Sequence, residues 1–255
     1  MPQYDDDLML GPVVAGGPIY SQVFQAANRS LGSSPMTRGI GPLARTLVYH
    51  ITPLALATAN IAALQTLAGA GAMVLTAGAG VTKIIDGNGL SRYQLDVPRA
   101  VSLTSAGNLS GVNFTVSGFD VYGQPMTQVL AGPNANTVNT LKAFYQVTSV
   151  TANGAVGTNT SVGTSDIFGM PVLVPDLAFI THVGWNNILG DNASTALKGD
   201  ATSPATAATG DVRGTIAQAG AASDGTKTLV VSIGLSGTAV GPTATRAGAL
   251  GVTQA

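Results

Sequence analysis

The chain has 255 residues, 45% hydrophobic and only 9% charged, with net charge −1, 33 glycines and no cysteine. Ordinary globular domains carry about 25% charged residues, so this surface is either built from uncharged polar groups or covered by other molecules. The missing cysteines exclude disulfides and thiolate metal sites, and the balanced charge argues against non-specific nucleic-acid binding, which needs clustered Lys and Arg. All twelve acids are Asp, and Lys occurs only four times. The usual builders of exposed helix are therefore scarce, while the small and β-branched residues of sheets and turns are abundant.

Residues 1–43 read as an extended N-terminal arm. Gly-Pro recurs at Gly11-Pro12, Gly17-Pro18 and Gly41-Pro42, which excludes continuous helix. Unanchored tails are usually more charged and less apolar than this. The arm is thus expected to lie along another subunit, with Leu8, Met9, Leu10, Val23 and Phe24 as anchors; packing on its own domain, or disorder, are the alternatives. The Asp5-Asp6-Asp7 triplet reads as solvated, or as a contact for a basic patch or cation. It also stands where a secretory signal carries basic residues.

Residues 44–240 read as an all-β body, a two-sheet β-sandwich of jelly-roll or immunoglobulin-like type. Arg45 to Ile51 alternates as a first strand. The Ala-rich run after Pro53 fits either a short helix through Ile61 and Leu64 or a pair of small-residue strands. Met73–Thr76 and Val81–Ile85 read as strands, the latter closed by the turn Asp86-Gly87-Asn88-Gly89. No charge occurs from Ile51 to Thr82, but Pro, Asn, Gln and scattered glycines make this a poor membrane span. Val112, Phe114 and Val116 alternate with polar residues. The pattern resumes at Phe119 and Val121 with its parity shifted, which predicts a bulge near Gly118. Met126, Gln128 and Leu130 form the return strand, and Ala143–Val150 a third. Turn signals recur about every 8–12 residues, the spacing of a sandwich or barrel.

In the second half, Ile167–Val174, broken by Gly169 and Pro171, reads as an irregular edge. Leu177–Trp185 reads as a strand, Asp191–Gly210 as an exposed loop, and Asp211–Ala217 and Lys227–Leu235 as two more strands. Leu229, Val231 and Ile233, like Val112, Phe114 and Val116, belong in the core. Residues 241–255 form a small-residue C-terminal tail.

No catalytic, cofactor or metal motif emerges. His50 and His182 sit singly in separate strands, without metal-ligand spacing. Gly234-Leu235-Ser236-Gly237 misses the nucleophile-elbow spacing, and Ala77–Lys83 lacks the ending of a phosphate loop. Paired carboxylates for glycoside hydrolysis can be assembled from twelve Asp, but aromatics are only 5%. The expectation is a protein that is not an enzyme and takes no cofactor and no metal.

The stretch LDVPRAVSLTSAGNLSGVNFTVSGFDVYGQPMTQVLAGPNANTV, with KAFYQVTSVTANGAVG, SVGTSDIFGMPV, SPATAATGDVRG and GPTATRAGALGVTQA, resembles virion structural proteins of tailed bacteriophages. The likeness runs from about Leu95 to the C-terminus and leaves the arm uncovered. It implies an all-β, multi-copy component of the particle: a capsid decoration or cement protein that bridges major capsid subunits. The implied partners are the major capsid protein and copies of itself in a homo-oligomer, with neither nucleic acid nor membrane. The implied location is the virion, assembled in the host cytoplasm. A neck or tail component, or a carbohydrate-binding sandwich for the host surface that uses Trp185, is the alternative.

Overall fold

The computed structural model describes residues 45–174, 177, 180–186, 188–189, 195–199, 210–218 and 220–235. In chain order the strands are β1 (Arg45–Ile51), β2 (Ala62–Leu67), β3 (Gly71–Ala72), β4 (Val81–Ile85), β5 (Ser91–Ser105), β6 (Asn113–Phe119) and β7 (Pro125–Ala131). They continue as β8 (Thr137–Ala152), β9 (Val156–Gly169), β10 (Ile180–Trp185), β11 (Ile188–Leu189), β12 (Thr195–Lys198), β13 (Gly214–Ala217) and β14 (Leu229–Leu235). There is no α-helix among the described residues. The arm and tail lie outside them.

One sheet has the order β1-β14-β10-β11, and the other runs β12-β13-β9-β5-β8-β6-β7. The second sheet is extended by long strands that take two partners in succession along one edge. β5 pairs with β4 through Ser91–Leu95 and with β9 from Arg99 onward. β9 pairs with β2 along its first part and with β13 at Ile167–Gly169. These long strands reach two cores. The first gathers Leu95, Leu103, Phe114, Val116, Phe144, Val150 and Val162. The second packs the two sheets face to face: Phe168 and Ile216 from one meet Trp185, Leu229, Val231 and Ile233 from the other, with Leu47, Tyr49 and Ile51 half-buried at its margin. The body is an all-β sandwich, as the composition predicts.

Periodicity located the core well. Phe114, Val116, Leu229, Val231 and Ile233 are fully buried, and Val112 packs against the first core. The turns at Asp86–Gly89 and Gly123–Gln124 stand where the glycines put them, with Gly89 and Gly123 at positive φ.

Of the two readings of the run after Pro53, helix or strand, the strand holds: β2 forms, with Ile61 and Ala62 docked against Val162 as backbone partners of β9. Four other local readings are corrected. Met73–Thr76 is not a strand; only Gly71–Ala72 pairs, with β8. The bulge does fall beside Gly118, but the extra residue is Thr148 of β8, since Ser117 faces Ser149 and Gly118 faces Val147. β6 therefore keeps its parity, and Phe119 ends on the outer face instead of returning to the core. Ile167–Gly169 is no edge, being held between β13 and β5. Finally, β12 lies within the expected loop Asp191–Gly210, pairing with β13 through four residues.

Candidate functional site

The arm residues proposed as anchors, Leu8, Met9, Leu10, Val23 and Phe24, lie outside the described residues, as does Asp5-Asp6-Asp7. What the structure brings together instead is charge, and it places that charge inside.

Arg99 of β5 is 1% exposed. Pro98 has no N–H to give the ladder, and the register shifts on both sides of Arg99, against β8 and against β9. The side chain turns inward at this break. Its Nε donates to the Ser165 carbonyl at 2.8 Å. One terminal nitrogen donates to the Leu54 carbonyl and to Asp96 at 3.2 Å. The other donates to Asp166 at 2.8 Å and to the Ser223 hydroxyl at 3.2 Å. The guanidinium also stands 5.3 Å from the centre of the Phe168 ring. Asp96 accepts Leu54 N–H at 2.6 Å, and Asp166 accepts both the N–H and the hydroxyl of Ser223. One buried cation thus ties β5, β9, the segment after β1 and the loop before β14.

A second junction lies around Arg213. It donates to Asp120 at 2.5 Å with both side chains buried, and lies over the Tyr122 ring at 4.7 Å. The other oxygen of Asp120 accepts Tyr122 N–H and Gln124 N–H, so it caps the turn between β6 and β7. Asp211 accepts Ala143 N–H and Arg213 N–H, linking this corner to β8. Beside it, Gln128 is buried and accepts the backbone N–H groups of Leu141 and Lys142 at 2.9 Å.

The remaining described acids are committed as well. Backbone N–H of Leu90, against a smaller desolvation cost and with help from Arg92 and Asn88, holds the Asp86 carboxyl below its ordinary value. Lys227 and Thr226 do the same for Asp224. Every Asp among the described residues thus accepts hydrogen bonds from its own fold.

Trp185 is 2% exposed, stacks on Phe168 with centroids 6.0 Å apart, and donates its Nε1–H to the Ala221 carbonyl at 2.9 Å. Trp185, the ring named for the carbohydrate alternative, is thus a core residue. His50 is exposed on β1 and His182 half-buried on β10, with β14 between them. Among the described residues no group of three or more His, Cys, Asp or Glu could hold a metal ion, and no helix is long and apolar enough to cross a membrane.

Two outward features remain. On the outer face of β4, β5, β8 and β6, Asp86 pairs with Arg92, which lies 4.2 Å over Phe119 and reaches Gln146; Gln146, Gln94 and Tyr145 continue the chain of bonds. At one end of the smaller sheet, β1 pairs with β14 in unbroken register from Arg45↔Leu235 to Ile51↔Leu229, and its other edge has no strand partner among the described residues. No protein-family model, curated protein or solved structure matches this chain.

Neither junction was foreseen from the sequence. The available signal was slight: Arg99 stands in the apolar run Val97-Pro98-Arg99-Ala100-Val101, and an Arg is almost never fully buried unless it is paired, so burial there would have required partners that local spacing does not name.

Proposed function

We propose that this chain is a non-enzymatic structural protein of a tailed-bacteriophage particle, and that its place is the outside of the capsid, as a decoration or cement protein contacting the major capsid protein. The observation that carries the reading is the use of charge. Asp96, Asp120, Asp166 and Asp211 hold the body together with the two buried arginines, and the described surface is mostly Ser, Thr, Asn, Gln and single apolar groups, with Lys83 and the pairs Asp86–Arg92 and Asp224–Lys227 among its few charges. Such a surface suits a part that is built in among neighbours. The second support is geometric. Arg45 and Leu235 are ladder partners, so the segments before and after the body leave from one corner and can hold it to a support from one side. The third is the resemblance in phrasing to virion structural proteins.

The deciding experiment is the number of copies per purified particle, by quantitative mass spectrometry against the major capsid protein. Copies in the hundreds fit the shell. About a dozen or fewer, the count set by the cyclic symmetry of a neck or tail, would move the protein to those positions. Absence from particles would end the virion reading.

A further inference from the structure

We infer that the open edge of β1 is the contact between two copies of this chain, which pair β1 with β1 antiparallel about a two-fold axis at Val48. This goes beyond the capsid reading and stands or falls separately from it.

Sheet edges in natural proteins are normally guarded by Pro, by Lys or inward-pointing charge, or by a bulge. β1, Arg45-Thr46-Leu47-Val48-Tyr49-His50-Ile51, carries no Pro, no Lys and no acid, and its seven pairs with β14 run without a shift. Val48, at its centre, is 64% exposed. Leu47, Tyr49 and Ile51 face the second core, yet stay only half-buried, and among the described residues no strand flanks them on the open side.

The strand is complementary to itself. With Val48 on the axis, Val48 faces Val48 of the second copy, Leu47 faces Tyr49, and Thr46 faces His50. The apolar layer under β1 then runs on from one copy into the next, and the half-buried residues gain the cover they lack. Arg45 is the one fully charged residue of the strand. An antiparallel pair sets the two Arg45 six residues apart, about 20 Å at roughly 3.3 Å per residue, beyond the screening length of about 8 Å. The net charge of −1 adds little long-range repulsion between copies. A second copy thus meets the geometry, the apolar pattern and the charge of this edge at once.

The chain has no cysteine, so Val48→Cys in the full-length protein is its sole thiol. The expected result is a covalent dimer under mild oxidation or with a short bis-maleimide. Thr46→Cys alone should give none, since the two Thr46 positions lie about 13 Å apart, while Thr46→Cys with His50→Cys should link again. Unmodified protein should sediment as a concentration-dependent dimer, and Val48→Lys, which sets like charges directly opposite each other, should weaken that dimer at least about tenfold while the circular dichroism stays unchanged. A Val48→Cys protein that stays monomeric, Thr46→Cys linking as readily, or sedimentation as a monomer at all concentrations overturns the inference. With a photo-crosslinking residue at position 48 in place of Cys, a link to a peptide of residues 1–43 also overturns it, by showing that the arm takes this edge.

Discussion

Replacing Arg99 with Ala removes the one cation between Asp96 and Asp166 and strips the Ser165 and Leu54 carbonyls of their donor. Breaking a buried ion pair by deleting one partner costs about 3–5 kcal/mol, because the remaining charge stays uncompensated. Loss of the guanidinium from the Phe168 face adds about 1 kcal/mol. Against this, Asp96 keeps Leu54 N–H and Asp166 keeps Ser223, whose bonds partly hold the stranded carboxylates. The net expectation is a loss of about 4 kcal/mol. With a urea dependence of about 2 kcal/mol per molar, the unfolding midpoint should fall by about 2 M. Arg99→Lys should lie nearer to Ala than to the wild type, since a single ammonium cannot span Ser165, Asp96 and Asp166 together. Urea titration followed by circular dichroism and by the fluorescence of Trp185, which stacks on the same Phe168, reads both variants. A midpoint shift below about 0.5 M for Arg99→Ala would refute the claim that this residue locks the sheets together.

At Gly118 a Cβ would meet the Gln146 carbonyl oxygen at 1.9 Å and its carbon at 2.9 Å; because these are backbone atoms, Gly118→Ala should cost about 3 kcal/mol in urea unfolding. Gly154→Ala is the control, with its nearest atom at 3.9 Å and an expected change within about 0.5 kcal/mol. Burial, with Tyr122 nearby, pushes the Tyr49 phenol well above its ordinary value. The fold therefore favours the protonated ring, and its contribution is whole below about pH 10 and lost as pH rises through the folded value. Melting temperatures should drop across that range in the wild type and less steeply in Tyr49→Phe. Deleting residues 1–43 should leave a cooperatively unfolding β body, since its ladder begins at Arg45, but should lower its retention on purified particles in a co-sedimentation assay; equal retention would remove the arm from the attachment.

How much of this was legible depends on whether a residue had a face to choose. Phe114, Val116, Leu229, Val231 and Ile233 lie in strands with one buried side, so their alternation showed directly. The long strands were seen only in part. In β5 the interruption at Pro98 and the buried Arg99 break the apolar pattern, although the backbone stays extended through both. β12 was invisible because Thr195-Ala196-Leu197-Lys198 is too short and too mixed to show a period; its pairing with β13 decides its conformation. Phe119 was misplaced because the extra residue sits in the partner strand, and one strand's sequence says nothing about a bulge in its neighbour. The junctions needed contacts across 67 residues for Arg99 with Asp166 and 93 for Arg213 with Asp120, distances over which local spacing carries no signal.

The pairing of Arg45 with Leu235 also fixes how the body responds to tension. β1 and β14 are antiparallel, and their outer ends lie side by side. Force applied between the flanking segments acts across the ladder and opens it one bonded pair at a time, starting at Arg45↔Leu235, so peeling needs to break only a hydrogen bond or two at any moment. Force applied between either segment and the far end of the sandwich runs along the strands and loads all seven pairs of that ladder together. The same fold is therefore weak to pulling at its own two ends and strong to pulling through its length.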